Sequence, residues 1–327
     1  MSNNLNVQNK DYDLILLGSG NMAAEYLKVL GKLNKKVAIV GRSKKNILSL
    51  KKKYPKHDFF YGGLRKFILL NKELPKFAIN CVDIENLVKT SKELVELGFK
   101  NILLEKPGSL YSSELKSLDT LSKLNSVKIF IGYNRRFFSS IARLKEEVKK
   151  DGGIKSLNFE FTEWIHTFGY ETHPVETLNK WIIANSSHVI DTAFFLIGKP
   201  SKIKIGISGA DEINWHPSGS IFSGFGESEL NIPFNYHTNW KAPGRWSIEV
   251  STNLRRFYLK PMEKLYVQKL GSVSVEEIKI RNKLDTNFKP GLYLQTKSFL
   301  DSNDKSLKTL KEQVKSIELY NKIGGYI

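Results

Sequence analysis

Short apolar runs alternate with amphipathic stretches over residues 13–134. Uninterrupted apolar runs are typical of strands covered on both faces, and the stretches between them have the period of a helix. The pattern therefore predicts βα units, a doubly wound parallel sheet of the Rossmann type, and ligands at the carboxyl ends of its strands. The predicted strands are DLILLG (13–18), KVAIVG (36–41), HDFFYG (57–62), FAINCV (77–82), NILLEK (101–106) and KIFIGY (128–133), and the clearest helices span residues 86–97 and 113–124.

The pattern changes after Arg136. Over residues 201–280 apolar and polar positions alternate in long segments with no helical period, which indicates a large, open, mostly antiparallel sheet. We therefore predict an α/β protein with an N-terminal Rossmann domain (residues 1–134) and a C-terminal α+β domain (residues 135–327). The predicted strands of the second domain include SLNFEFTEW (156–164), KIKIGISG (202–209), RWSIEVST (245–252) and RRFYLKPMEKLYVQKL (255–270), and its predicted helices span residues 140–150, 180–198, 292–300 and 306–322.

A glycine-rich turn follows the first predicted strand. Its sequence is Gly18-Ser19-Gly20-Asn21-Met22-Ala23, and it opens an amphipathic helix. In a G-x-G-x-x-A turn the first glycine permits the bend, the second lets the backbone approach a pyrophosphate, and the helix N-terminus attracts the phosphates. Glycines also mark ordinary turns, but this context predicts a dinucleotide site. Cys81, Val82, Glu105 and Lys106, at the ends of the fourth and fifth strands, complete the predicted cofactor-binding set.

The end of the second strand indicates which dinucleotide binds. NAD sites usually place an acidic residue there to hold the ribose 2′-hydroxyl, whereas this chain has Gly41-Arg42-Ser43-Lys44-Lys45. The Arg42 guanidinium and the Ser43 hydroxyl suit a 2′-phosphate, so NADP is the preferred cofactor and NAD the alternative. The simpler interpretation is that Arg42 and the lysines are solvated loop charges.

Composition and charge exclude several classes of protein. Hydrophobic residues make up 41 % of the 327 residues, in short periodic segments, so we expect a globular protein without membrane spans. The net charge of +18 makes nucleic acid a possible partner. The lysines, however, are scattered over helix faces without a recognised motif, so we expect that the protein does not bind nucleic acid. The polar N-terminus and the single cysteine, Cys81, favour a cytoplasmic protein. No metal site is predicted.

Three further segments resemble one oxidoreductase family. They are Glu105-Lys106-Pro107 after the fifth strand, Tyr133-Asn134-Arg135-Arg136-Phe137 after the sixth, and His188. Together with the glycine turn they resemble the Gfo/Idh/MocA family, named for glucose-fructose oxidoreductase and inositol dehydrogenase. The resemblance covers nearly the whole chain. It implies a Rossmann domain, an α/β domain whose open sheet often forms an oligomer interface, and activity on sugars, polyols or sugar derivatives.

Lys106 and His188 are the predicted catalytic residues. A lysine at the end of a Rossmann strand is well placed to hold a substrate oxygen, and a neutral imidazole can take the proton of a substrate hydroxyl as hydride leaves. The resemblance supports both roles and suggests that the two side chains approach each other across the domains. The alternatives are a surface lysine before a proline and a core histidine that hydrogen-bonds to Asp191.

One position departs from the family pattern. Many family members have an aspartate four residues before this histidine, and here that position is Ala184. Because the aspartate is missing, reduction of a keto-sugar is as reasonable an activity as oxidation of a sugar. A cofactor-binding regulatory or scaffold protein without turnover is the alternative function, and chemistry that uses the cofactor without net oxidation is a third.

The candidate substrate contacts lie in loops or at the ends of predicted helices and strands. The predicted substrate-binding residues are Tyr133, Arg135, Tyr170, Asn185, Trp240 and Arg245, with Arg136, His173 and Lys241 as further candidates. Apolar residues on both alternation phases of KIKIGIS and IFSGFG favour a covered sheet face. We therefore predict a homodimer or homotetramer formed through that face.

Overall fold

The computed structural model describes residues 11–71, 73–167, 169–303 and 305–326. The polar residues 1–10, which the sequence analysis used as one reason to expect a cytoplasmic protein, lie outside the described residues. The chain divides into two compact units. The first comprises the chain up to Gly132 together with Leu292–Val314, and the second comprises Tyr133–Gly291 together with the chain from Lys315 onward. The single boundary predicted near Asn134 did not include the return of Leu292–Val314 to the first unit.

The secondary structure alternates strand and helix in the first unit and is rich in strands in the second. The strands are β1 (Leu14–Leu17), β2 (Val37–Gly41), β3 (Asp58–Tyr61), β4 (Phe77–Asn80), β5 (Asn101–Leu104), β6 (Lys128–Ile131), β7 (Ser156–Glu160), β8 (Pro200–Ser208), β9 (Ile221–Ser228), β10 (Pro233–Asn239), β11 (Ser247–Ser251), β12 (Arg255–Leu259), β13 (Tyr266–Lys269), β14 (Val275–Glu277) and β15 (Lys308–Thr309). The α-helices are α1 (Asn21–Lys32), α2 (Lys44–Lys53), α3 (Gly63–Leu70), α4 (Leu87–Glu96), α5 (Ser112–Leu124), α6 (Ser139–Lys150), α7 (Val175–Asn179), α8 (Ser187–Ile197), α9 (Lys283–Asn287), α10 (Leu292–Leu300) and α11 (Leu310–Gly324).

The first unit is built on a sheet with the strand order β3-β2-β1-β4-β5-β6-β15. Strands β1 to β6 pair in parallel, and β15 pairs antiparallel with β6 at the edge. All residues of β1 and β2 are buried, as expected for strands covered by helices on both faces. The predicted doubly wound Rossmann sheet is confirmed. Strand β15 was not predicted, because a strand of two residues leaves no pattern in the sequence.

The second unit is built on a separate sheet with the order β14-β13-β12-β11-β7-β10-β9-β8. Its neighbours pair antiparallel except β7 and β10, which are parallel. Burial alternates along β7, where Leu157 and Phe159 are buried and Asn158 is exposed. This is the pattern of a sheet with one face in the core. The predicted mostly antiparallel sheet is therefore confirmed.

Two strand and helix predictions in the second half of the chain were wrong in their bounds. The segment over residues 255–270 forms two strands, β12 and β13, because Pro261 has no N–H to donate to a ladder. The last helix begins at Leu310 and not at 306, since Lys308 and Thr309 pair with β6. Its start is a capping box, in which the Glu312 amide donates to Thr309 Oγ1 and the Thr309 amide donates to the Glu312 carboxylate.

The helix predicted over residues 180–198 is also interrupted. Its first part is a π-helix at Ile182–Ser186, which leads directly into α8. A π-helix has a wider turn than an α-helix and is frequent at functional sites. Because of this wider turn, Ala184 and Asn185 do not have the i−4 and i−3 positions relative to His188 that a continuous α-helix would give them.

Candidate functional site

A cleft in the first unit opens at the carboxyl ends of β1, β2 and β4. Its volume is about 370 Å³, within the usual range of small-molecule pockets. We call it the glycine cleft, and it is lined by residues 17–20, 40–43, 62–65 and 81–83 together with Asn46, Asn86, Lys89, Thr90 and Glu93. The predicted residues Gly18, Gly20, Arg42, Ser43, Cys81 and Val82 all belong to this lining. The position is the one where open α/β sheets bind ligands.

The two glycines of the turn differ in their surroundings. Gly18 has φ +127°, and a Cβ there would lie 2.7 Å from the Cys81 carbonyl oxygen, so only glycine fits. Gly20 caps the N-terminus of α1, and a Cβ there would meet no atom within 4 Å. Gly18 thus makes the turn, while Gly20 leaves open space in front of the backbone amides at the start of α1. A pyrophosphate fits this space, because helix N-termini attract anions.

Arg42 and Ser43 stand at the rim of the glycine cleft, directly after β2. The Ser43 hydroxyl oxygen accepts a hydrogen bond from the Asn46 amide at 3.3 Å and so caps α2, which leaves its own hydrogen to donate. The Arg42 side chain is 69 % exposed and lies 3.9 Å (Nη2 to Oδ2) from Asp83. Arg65 and Lys89 add two more cations to the lining. The rim therefore combines guanidinium and hydroxyl donors with the carboxylate of Asp83, and Glu93 adds a second carboxylate to the lining.

The remaining predicted cofactor residues differ in how exposed they are. Asn21 and Met22 form the first turn of α1, where Asn21 is exposed and Met22 half-buried. The Cys81 thiol is buried and donates to the Leu17 carbonyl oxygen at 3.2 Å. Burial raises the pKa of this thiol well above its usual value, so Cys81 is a small packing residue of the cleft floor and not a reactive thiol.

Glu105 lies in the core of the first unit and does not line the glycine cleft. Its Oε1 accepts a hydrogen bond from the Tyr26 hydroxyl at 2.6 Å, and Gln295 Nε2 donates to the same hydroxyl at 3.3 Å. The next residue, Lys106, is half-buried, and the following Pro107 is held by Gln313, whose Nε2 donates to its carbonyl oxygen at 2.7 Å. The segment that presents Lys106 is thus fixed on both sides by buried hydrogen bonds.

His188 lies on α8 in the second unit and is 7 % exposed. Its ring is edge-on to Tyr133, with centroids 5.7 Å apart, and tilted against Trp246 at 6.1 Å. Tyr133 is itself 1 % exposed and donates to Ser187 Oγ at 3.2 Å, so it supports His188 and is not the substrate contact predicted from the sequence. The imidazole is therefore oriented by two aromatic rings.

Asp191, the proposed partner in the alternative interpretation of His188, belongs to a buried ion pair. Arg136 donates to both of its oxygens, from Nε at 2.7 Å and from Nη2 at 2.9 Å. The Arg136 side chain is 9 % exposed. The structure thus assigns Arg136, one of the further candidates for substrate contact, to an ion pair that holds α8.

A second cleft, of about 330 Å³, lies within the second unit. We call it the tryptophan cleft, and it is lined by Glu163, Trp164, Ile165, Thr167, Trp181, Asn185, Trp215 and Arg245. The sequence analysis identified Asn185 and Arg245 among these residues and missed the others. One signal for Glu163 was present, because the alternation of SLNFEFTEW places it in phase with the buried Leu157, Phe159 and Phe161. A carboxyl group on the inward phase of a strand is a sign of function.

Glu163 is 7 % exposed and accepts three hydrogen-bond contacts from the π-helix. The Ser186 hydroxyl donates to Oε1 at 2.6 Å, and Asn185 Nδ2 donates to both carboxylate oxygens at 3.2 Å. Burial raises the pKa of the Glu163 carboxyl above its usual value, although Ser186, Arg245 and Asn185 partly offset this effect. The π-helix and the segment after β7 thus meet at one buried acid.

Two guanidinium groups surround Trp246 beside this acid. The Arg245 guanidinium lies 4.6 Å from the Trp164 ring centroid and 5.1 Å from that of Trp246. Arg135 lies 4.4 Å from the Trp246 centroid, and burial lowers its pKa to about 10, so it stays charged at neutral pH. The Trp164 indole donates to the Gly244 carbonyl oxygen at 2.6 Å, which ties the Arg245 loop to the cleft.

Trp240 was predicted as a substrate contact and is a core residue. It is 2 % exposed, its indole N–H donates to the Phe161 carbonyl oxygen at 3.2 Å, and its ring packs on His216. Tyr170 is 40 % exposed and stacks on Trp215, at the side of the tryptophan cleft. Among the weaker candidates, His173 packs edge-on against Trp181, and Lys241 pairs with Glu212 at 3.4 Å.

Within the described ranges, no helix has the length and apolar character to cross a membrane. The same residues contain no group of three or more histidine, cysteine or acidic side chains arranged to hold a metal ion.

Comparison with known proteins finds likeness in structure alone. No family model matches the chain, and no curated protein matches its sequence. An oxidoreductase from Agrobacterium radiobacter, solved with NAD+, L-tartaric acid and magnesium, superposes with a TM-score of 0.77 at 12 % identity over 95 % of each chain. The WlbA dehydrogenase from Chromobacterium violaceum, solved with NADH and UDP-GlcNAcA, has a TM-score of 0.70 at 13 % identity over 96 % of this chain and 92 % of its own.

A third structural neighbour is described as a repressor mutant and not as an oxidoreductase or dehydrogenase. A super-repressor mutant of Gal80p from Saccharomyces cerevisiae has a TM-score of 0.77 at 13 % identity, over 97 % of this chain and 96 % of its own. The structural neighbours are proteins of the Gfo/Idh/MocA type. The resemblance predicted from the sequence is therefore confirmed at the level of the fold.

Proposed function

We propose that the chain is a nicotinamide-dependent oxidoreductase that prefers NADP to NAD. It transfers a hydride between the cofactor and a carbon of a sugar, a polyol or a sugar nucleotide. The observation that carries this proposal is the glycine cleft, in which open space in front of the α1 amides adjoins a rim with Arg42 and Ser43. Fold neighbours solved with NAD+ and with NADH support a nicotinamide cofactor.

The cofactor's phosphates are assigned to the glycine turn. Gly18 and Gly20 allow the backbone amides at the start of α1 to bind the pyrophosphate, with Asn21 and Met22 in the same turn. Arg42 and Ser43 bind the 2′-phosphate, and Val82 and Cys81 form the apolar floor. When bound, the nicotinamide supplies or accepts the hydride, and the chain's own residues handle the proton.

Lys106 and His188 are assigned to that proton. Lys106 donates a hydrogen bond to the reacting oxygen of the substrate, and His188 accepts the proton of the hydroxyl group during oxidation. In the reverse direction the same groups return the proton, since a general base of one direction is the general acid of the other. The buried hydrogen bond to the Pro107 carbonyl oxygen holds the backbone next to Lys106, and two aromatic rings pack against the His188 imidazole, which supports these roles.

A regulatory protein without turnover is the second candidate. Ala184, in place of the aspartate of many family members, favours it, and the likeness to a super-repressor mutant of Gal80p gives it a structural counterpart. Such a protein binds NADP or NAD but changes neither. The two candidates therefore differ in a single measurable quantity, the absorbance of the reduced nicotinamide over time.

The test is a screen of sugars, polyols and sugar nucleotides with NADP+ and NAD+, followed by variants. Lys106→Met and His188→Gln should each lower turnover about 10²–10⁴-fold while leaving NADPH affinity nearly unchanged. Lys100→Met, which removes an exposed lysine of the same unit, is the control and should behave as the unmodified protein. Cofactor binding with no turnover of any compound would favour the regulatory candidate.

We propose further that the chain assembles through the second sheet into a homodimer or homotetramer. Phe225 on β9 is 64 % exposed, and Ile207 on the neighbouring β8 is 36 % exposed. Large exposed apolar side chains on an open sheet favour a covering partner. A second copy of the same chain is the partner that the family resemblance implies.

A further inference from the structure

The tryptophan cleft contains an acid that the proposed mechanism does not use. Glu163 is almost fully buried, yet it is part of the lining of an open cleft. Carboxyl groups are rarely buried unless they are paired or serve a function, because burial disfavours the charged form. Arg245 and Arg135 act on it electrostatically, and within the described residues no ion pair joins either guanidinium to the carboxyl.

The hydrogen bonds of Glu163 leave part of its acceptor capacity free. A carboxylate offers about four lone-pair positions. Asn185 Nδ2 donates to Oε2 as well as to Oε1, and the Trp246 indole is a further hydrogen-bonding group that lowers the pKa of the carboxyl. Ser186, Asn185 and Trp246 thus hold the carboxylate in place. Three donor groups leave about one of the four positions for a ligand in the cleft.

The other side chains of the cleft indicate the kind of ligand. Trp164 is 47 % exposed, and Trp181 and Trp215 line the same space. Indole rings provide rigid apolar faces, on which a sugar ring can lay its C–H face. Carboxylate and amide groups at the edge then accept and donate to the ring hydroxyls, which is the usual combination of apolar walls and a few placed polar groups in ligand sites.

We propose that Glu163 is the substrate-binding carboxylate of the tryptophan cleft, where it accepts hydrogen bonds from the hydroxyl groups of a sugar ring stacked on indole. The assignment rests on the proposed function and specifies how that substrate is recognised. Asn185 has a double role, because it orients Glu163 and presents its amide oxygen to the same cleft. Arg245, held between two indoles, supplies positive charge for substrates with a negative substituent.

The test uses the full chain and three named probes: D-glucose, D-glucuronate and UDP-N-acetylglucosamine. Their binding is followed by tryptophan fluorescence, and NADPH binding is measured separately. Glu163→Gln keeps the size of the side chain and an oxygen for Ser186. We expect it to weaken binding of the tightest probe about 10- to 100-fold, the range for a hydrogen bond to a charged group, with NADPH affinity unchanged. Glu146→Gln, an exposed residue of α6 in the same unit, is the charge-matched control.

The possible outcomes separate the assignment from the proposed function. If the unmodified protein oxidises a probe and Glu163→Gln leaves Kd and KM unchanged, the assignment is overturned and the function stands. If no probe is oxidised but a sugar binds and Glu163→Gln abolishes the binding, the assignment stands and the function is overturned. If no probe binds to the unmodified protein, the assignment is overturned as well.

A second variant guards against a loss of fold. Glu163→Asp keeps the charge but withdraws it from the cleft by one methylene, so we expect a smaller loss of sugar affinity than for Glu163→Gln. Thermal unfolding of both variants reports on the fold. Equal sugar affinity in the aspartate variant and the unmodified protein would overturn the assignment, because a shortened side chain cannot keep the same contact.

Discussion

Replacing Arg42 with alanine should change the preference of the protein between its two cofactors. Arg42 is assigned to the 2′-phosphate, and a hydrogen bond to a charged group contributes about 1.5–3 kcal/mol. Its side chain is 69 % exposed, so water competes and the lower end of that range applies. We therefore expect Arg42→Ala to weaken NADPH binding about tenfold. NADH binding should hardly change, because NADH lacks the phosphate.

The carboxylate of Asp83 sharpens the same test. It lies 3.9 Å from the Arg42 guanidinium, and both side chains are mostly exposed, so their mutual attraction is at most about 1 kcal/mol. A bound 2′-phosphate brings a second negative group near Asp83. Asp83→Asn should thus strengthen NADPH binding about twofold, and the gain should shrink at high salt as screening increases.

The assay is titration of each protein with NADPH and NADH at low and high salt, by calorimetry or nicotinamide fluorescence. Lys45→Ala removes a neighbouring exposed cation outside the glycine cleft and serves as the control. Equal affinities of the unmodified protein for the two cofactors would refute the assignment of Arg42. So would a loss in Arg42→Ala that is the same for NADPH and NADH.

Three other predictions concern stability, cofactor binding and assembly. Gly18→Ala should lower the melting temperature because its Cβ would meet the Cys81 carbonyl, while Gly20→Ala should fold normally and bind NADPH weakly; the reverse order would contradict the assigned roles. Hydrogen bonds from Lys150 and, to a smaller extent, from Arg255 lower the pKa of Glu147 from 4.5 to about 2. The stability that Glu147 gives to the folded state is therefore present above pH 4.5 and is lost as the pH falls toward 2. Glu147→Gln should therefore lose up to about 3 kcal/mol of unfolding free energy at neutral pH and show a flatter acid denaturation profile, and an unchanged profile would contradict the role of these ion pairs. Phe225→Glu should yield monomers in light scattering, and an unchanged mass would show that β9 is not the interface.

The sequence predicted the first sheet well because burial on both faces leaves uninterrupted apolar runs. Strands β1 to β6 all fall within the predicted segments, and the ligand-binding edge follows from the parallel order. Strand β15 was beyond such reasoning, since two residues have no detectable period. The start of α11 was within reach, because Thr309 and Glu312 have the spacing of a capping box.

The substrate side was harder to predict because it depends on packing between distant segments. Trp240 and Arg245 lie in the same loop, and both residue types are suited to binding a sugar. Trp240 is nevertheless in the core, whereas Arg245 lines the tryptophan cleft. The π-helix before His188 has no simple signature in single-residue preferences, and it directs Asn185 toward Glu163. The one local signal was that Glu163, although it lies beyond the end of β7, continues the inward phase of Leu157 and Phe159.

Glu163 also bears on whether the chain is an enzyme or a protein that only binds its cofactor. Burial raises the pKa of its carboxyl, so the folded state disfavours the charged form relative to the unfolded state. The sign follows from linkage: stability is highest below the usual pKa of a glutamate and falls as the pH rises through the raised value. Arg245 and Arg135 face the carboxyl, and Ser186 and Asn185 donate to it, but these groups offset only part of the effect.

Glu163→Gln removes that pH-dependent cost while it keeps the shape of the side chain. We therefore expect its melting temperature to exceed that of the unmodified protein at neutral pH, and the difference to vanish below the usual pKa of glutamate. A protein that binds only its cofactor has no use for an acid that lowers its stability in an open cleft, whereas a protein that also binds sugar hydroxyls does. A variant that is more stable and loses sugar binding would identify Glu163 as a residue retained for function. A variant that is less stable at neutral pH would instead identify a structural acid, and the absence of an aspartate at Ala184 would then favour the regulatory candidate.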